Sequence, residues 1–286
     1  MRTVVGLILA INLLSATAEA APKLLWEAKG LAQPESAVVD PATGAIYVSN
    51  INGAIMQKDG NGFIAKLNGD GKIVTRDWVK GLDAPTGLAL HDRTLYAVDI
   101  DQLVEINAAS GEIVNRYLAK GALFLNDVVA DPDGVVYASD TPTNTIWRLK
   151  DGSFEPWLAN DNLNNPNGLL VQGDKLIVAS FGKVTGVGQK QELAGLLQVD
   201  ISTQAITKIG KGDAIGNLDG VEPLAPAGYL VTDWAKGALY RVDAKGKVDL
   251  LLDLNQGSAD LTYLPDKKLV LIPMMLDNSL VAYRLD

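Results

Sequence analysis

The chain has 286 residues, 48% of them hydrophobic and 21% charged, with a net charge of −9. That is ample apolar material for a large core, and the acidic balance argues against nucleic-acid partners and anionic membrane surfaces. Cysteine is absent, which excludes disulfides, thiolate catalysis and cysteine-based zinc sites.

The first 20 residues place Arg2 before an apolar run from Val4 to Leu14 and end in Ala18-Glu19-Ala20. This is the pattern of a secretory signal with a small-residue cleavage site. The expected mature chain starts at Ala21 and is periplasmic or secreted. The run is short for a membrane span. An uncleaved anchor or a buried first helix is the alternative reading.

From there the chain repeats. The segments "QPESAVVD", "APTGLAL", "LNDVVAD", "NPNGLLV", "LDGVEPL" and "SADLTYL" align on Glu35, Thr86, Asn126, Asn167, Asp219 and Asp260, in steps of 51, 40, 41, 52 and 41 residues. Each is followed by a second apolar strand ("GAIYVSN", "RTLYAVDI", "GVVYASDT") and a third, with "GDG", "ASG" or "KDG" turns opening a fourth. Four short strands in units of this length predict a propeller blade. The expected fold is therefore all-β: one six-bladed β-propeller over residues 21–286. Its last blade lacks a fourth strand, which the mature N-terminal stretch "KLLWEAKG" (23–30) supplies. A two-sheet sandwich is the competing architecture.

In a propeller the first strand of each blade lines the central channel, so the six aligned residues form a ring at its mouth. The two longer steps come from insertions at 50–62 and 181–195, in blades 1 and 4, which face each other across the ring. Both loops are expected to wall a pocket over it. Glu35, Asn126, Asn167 and Asp219 offer two carboxylates and two carboxamides, an oxygen-only set suited to a divalent cation. Ca²⁺ is the first expectation, with Mg²⁺, Mn²⁺ or Zn²⁺ as alternatives; no organic cofactor is expected. The single histidine, His91, falls at the turn leaving the first strand of blade 2, on the opposite face, so a serine–histidine triad has no base. Asn-Gly, Asp-Gly and Asn-Asp are also ordinary turn dipeptides, and each alone reads as structure. The four together at equivalent positions carry the reading.

These residues resemble the family of gluconolactonase, senescence marker protein and luciferin-regenerating enzyme, and the related diisopropyl-fluorophosphatase, over essentially the whole mature chain. The resemblance rests on six blades, the Glu of "PES", the "ND" of blade 3, the "PNG" of blade 4 and the "DG" of blade 5. It implies that Glu35, Asn167 and Asp219 bind a catalytic cation. Asn126 is then a fourth ligand or a substrate contact, Asp127 supports the ligands from behind, and Asp219 acts as general base or nucleophile. Gluconolactonases place an Arg where this chain has Phe124, which points away from sugar lactones towards a less polar substrate. Thr86, Phe124, Asn126, Asp260 and Met274 are the expected substrate contacts. The resulting expectation is an exported metal-dependent hydrolase of a lactone or similar small-molecule ester. The alternative is a non-catalytic exported propeller that binds a small molecule or protein partner around a structural cation.

Overall fold

A computed structural model of the chain describes residues 21–183 and 192–285; the signal-like segment and residues 184–191 of the blade 4 insertion lie outside them. Six four-stranded antiparallel sheets are arranged as six blades. The first strands of blades 1 to 5 are Pro34–Val39, Pro85–His91, Leu125–Ala130, Pro166–Gln172 and Leu218–Pro223. Blade 6 starts with a shorter strand, Thr262–Leu264. Its outer strand is the N-terminal Lys23–Lys29, paired antiparallel with Ser279–Arg284. The first and last described strands thus share one sheet. The helical elements described are three single 3₁₀ turns, at Asp161–Leu163, Pro265–Lys267 and Met275–Asp277. No helix among the described residues is long and apolar enough to cross a membrane.

The core lies between blades rather than on the axis. Second strands such as Ile46–Asn50 ("IYVSN") are apolar on both faces because each blade is covered on both sides. Ile46 and Val48 pack with Leu269, Leu271 and Leu280 of blade 6. Tyr47, one residue out of phase, packs with Leu88, Leu95 and Ile106 of blade 2. The same alternation fills every other gap between neighbouring blades. The apolar demand is met in these six wedges, which leaves the axis free to carry polar groups.

One irregularity recurs in the first strands. In blades 1 to 5 the register slips between the first and fourth aligned residues, Pro34/Ala37, Pro85/Leu88, Leu125/Val128, Pro166/Leu169 and Leu218/Val221. The two residues inside each bulge escape the ladder, and a bulge re-aims side chains. The first bulged residue is, in turn, Glu35, Thr86, Asn126, Asn167 and Asp219.

Candidate metal centre and cavity

Three of the five bulges are held by a hydroxyl of the second strand beside them. In blades 1, 3 and 5 a hydroxyl accepts the N–H of the second bulged residue: Ser49 Oγ from Ser36 (2.9 Å), Ser139 Oγ from Asp127 (3.0 Å) and Thr232 Oγ1 from Gly220 (2.9 Å). Ser139 and Thr232 then donate to Asn167 and Ala259 carbonyls of the next blade. In blades 1 to 3 the segment leading into the first strand is pinned by the last residue of the second. Asn50 accepts from Ala32 N, Asp99 from Asp83 and Ala84 N, and Asp140 from Leu123 and Phe124 N. In blade 4 the lead-in residues Asn164 and Asn165 both adopt left-handed backbone, which asparagine tolerates best after glycine.

In blades 4 and 5 glycine follows the aligned residue, and there is no room there for a side chain. A Cβ on Gly168 would collide with the Asp219 carbonyl oxygen, and one on Gly220 would lie 2.5 Å from Asp260 Oδ1. The Asn-Gly and Asp-Gly pairs, which read as turns in the sequence, therefore lie within first strands and serve packing around the axis.

Glu35, Asn126, Asn167 and Asp219 converge at a single cavity of about 460 Å³, as the ring reading expects. One oxygen on each, Glu35 Oε2, Asn126 Oδ1, Asn167 Oδ1 and Asp219 Oδ1, is buried without a hydrogen-bond partner among the described residues. Buried polar atoms are almost always paired, and four orphans from four blades at one place call for a ligand. Among the described residues no three His, Cys, Asp or Glu side chains group as a metal site; the set is completed by carboxamides. Burial pushes the Glu35 carboxyl well above the usual range, reinforced by the charges of Asp219, Asp260 and Asp127. Burial does the same to Asp219, helped by Asp260 and Asp233. A cation would relieve both desolvation and repulsion, so the residues present fit a divalent metal.

The other expected residues separate. Thr86 and Phe124 line the cavity, though the Thr86 hydroxyl already donates to Leu125 O. Asp127 does not line the cavity; its carboxylate accepts from Val128 N (2.7 Å) and Leu169 N (2.6 Å), which ties together the inner strands of blades 3 and 4. Asp260 does not line the cavity. It precedes the shortened first strand of blade 6; its N–H donates to Glu35 O and its carboxylate accepts from Ser36 Oγ at 2.6 Å. Met274 is also misassigned: as the last strand residue it turns into the core with Leu230, Leu239 and Ile272. Met275, one step on in the 3₁₀ turn, lines the cavity instead. His91 lies away from the site, its Nε2 3.3 Å from Pro132 O.

Trp234 is a cavity residue not anticipated, its apolar character reading as core in the sequence, whereas Ile51 and Phe181 belong to the two insertions expected to wall the pocket. The blade 1 insertion does reach the cavity, through Ile55 and Met56. Of the blade 4 insertion, Phe181 and Lys183 reach it, while 184–191 lie outside the described residues. A second depression of about 530 Å³, lined by Leu224, Arg241 and Lys268, sits away from every ring residue.

No protein-family model matches the chain, and no curated protein does. Many solved structures match. A gluconolactonase from Xanthomonas campestris aligns with TM-score 0.70 at 14% identity, over 93% of this chain and 95% of that one. A structure named provisionally as a gluconolactonase gives 0.67 at 17%, over 94% and 93%. A streptogramin B lyase gives 0.59 at 12%, over 91% and 97%. At these identities the likeness is one of architecture, and by it the chain has the propeller fold found in gluconolactonases and streptogramin B lyase.

Proposed function

We propose that the protein is an exported, divalent-metal-dependent hydrolase of a lactone or similar ester. The observation that carries this reading is the convergence of four orphaned buried oxygens at one cavity. The gluconolactonase likeness supports the reaction class. Glu35, Asn126, Asn167 and Asp219 would hold the cation, with Ca²⁺ the best match to an all-oxygen set of carboxylates and carboxamides. When bound, such a cation supplies polarisation of a substrate carbonyl and a lowered pKa for water. Asp219 takes a proton from the attacking water and returns it to the ring oxygen as the acyl C–O bond breaks, giving a hydroxy acid. Asn126 and Asn167 cannot titrate in this range, so they orient without competing for that proton. Export rests on the signal pattern of residues 1–20.

The test is chelation followed by addition of Ca²⁺, Mg²⁺, Mn²⁺ or Zn²⁺, reading melting temperature and lactone hydrolysis together. One cation restoring both supports the reading. A cation that raises melting temperature while no lactone or ester turns over favours a binding propeller with a structural cation. No effect of any cation overturns the metal assignment.

A further inference from the structure

Above the oxygen ring sits a second set of equivalent residues. The residue directly after the second strand of each blade is Ile51, Ile100, Thr141, Phe181, Trp234 or Met275. Five of these six are apolar. Ile51, Ile100 and Met275 pack as one buried cluster, with Trp234 against it, and Phe181 lies 6.5 Å from Trp234 between ring centroids. The exception, Thr141, has its hydroxyl committed to Pro166 O at 2.7 Å. All but Ile100 line the cavity directly, where Phe124, Ile55 and Met56 extend the same surface outward. The polar groups at this level are already used: Asn165 Nδ2 donates to Thr141 O. Lys183, exposed at the rim, is the lining residue that brings a positive charge.

We infer that this collar selects neutral lactones or esters carrying an alkyl or aryl arm and discriminates against polyhydroxylated lactones. The inference rests on the hydrolase reading and names its substrate class. The reactive carbonyl belongs at the oxygen ring. The remainder of the molecule must then lie against a surface that can desolvate carbon but has few free partners for hydroxyls. Each hydroxyl buried there without a partner costs affinity, whereas each methylene gains it.

The test uses the cation-loaded protein with γ-butyrolactone and its γ-ethyl, γ-butyl and γ-hexyl derivatives, and glucono-δ-lactone as the polyol. We expect kcat/KM to rise by about fourfold per methylene until the collar is filled, with glucono-δ-lactone below the butyl compound. Met275→Ser should flatten the rise. Met56→Gln, at a 56% exposed position that the fold does not need, should flatten it too if Met275→Ser fails to fold. A flat series, or a preference for glucono-δ-lactone, overturns the inference. If none of the lactones is hydrolysed, the hydrolase reading has failed separately. Calorimetric affinity for the same series then decides the collar: affinity rising with chain length upholds it, and affinity independent of chain length overturns it.

Discussion

Two polar rings circle the axis of this propeller, and they differ in one respect. The first consists of residues at the ends of the second strands, among them Asn50, Asp99, Asp140 and Asp233, all buried. The second consists of the bulged residues Glu35, Asn126, Asn167 and Asp219. In the first ring the polar atoms have backbone partners. Asp140 alone accepts from Leu123 N, Phe124 N and Thr143 Oγ1. In the second ring one oxygen on every member is orphaned. The residue types are nearly the same, and Glu35, Asn167 and Asp219 are as buried as the first ring. A buried carboxylate that the fold satisfies holds loops in place; one that the fold leaves unsatisfied is kept for something that is not protein.

That contrast is broken most sharply by mutation. Asp219→Asn is expected to lower hydrolysis by about 10³-fold, while the chelated protein melts no lower than wild type, because a carboxyl whose ionisation is opposed by burial and by Asp260 has been replaced by a neutral group. Kinetics and thermal melts with and without chelator check this; full activity in the variant would sink the assignment of Asp219. Asp140→Ala should do the reverse. It strands two partly buried N–H groups and a hydroxyl, and we expect a loss of about 2 kcal/mol in denaturant titrations. An Asp140→Ala protein as stable as wild type would erase the distinction between the rings.

Much of the ring was legible because it repeats. "ND", "PNG" and "DG" recur at blade spacing, and only a circular arrangement brings residues so far apart in sequence to one place. What failed to be legible depended on partners from other blades. Asp260 occupies the sixth aligned position, yet its carboxylate is taken by Ser36, 224 residues away. Met274 and Met275 are neighbours in an apolar run, and where the strand gives way to the 3₁₀ turn decides which one meets the cavity. The collar is written plainly after each second strand, as Ile, Ile, Thr, Phe, Trp and Met, but apolar residues there read equally well as core.

Gly168→Ala probes how neighbouring members of the orphaned ring are coupled through the backbone. The added methyl meets the Asp219 carbonyl oxygen, and overpacking of this kind costs about 1–3 kcal/mol. Because the displaced group belongs to Asp219, activity measured well below the melting temperature should fall further than the stability loss explains. A variant that loses stability but keeps its kcat would place the catalytic carboxylate elsewhere.

The smallest expected effect concerns Glu222, further along the blade 5 strand. Burial, followed by the charge of Asp260, pushes its carboxyl up to about 8. Asp260, pushed by burial to about 7, acts in the same sense. A raised carboxyl pKa means that the folded protein holds a proton that the unfolded chain has released, so stability falls with rising pH between the unfolded and folded values. For Glu222 that window runs from its ordinary value of 4.5 to about 8. The chelated protein should therefore melt several degrees lower at the top of this window than at the bottom. Glu222→Gln keeps an Oε1 acceptor for Tyr263 N and loses the titration, so it should show a shallower decline. The residual slope belongs to Asp260 and the ring carboxylates, and added cation should reduce it, since bound metal favours their ionised forms. Parallel slopes in wild type and Glu222→Gln would assign the whole pH dependence to Asp260 and the ring carboxylates.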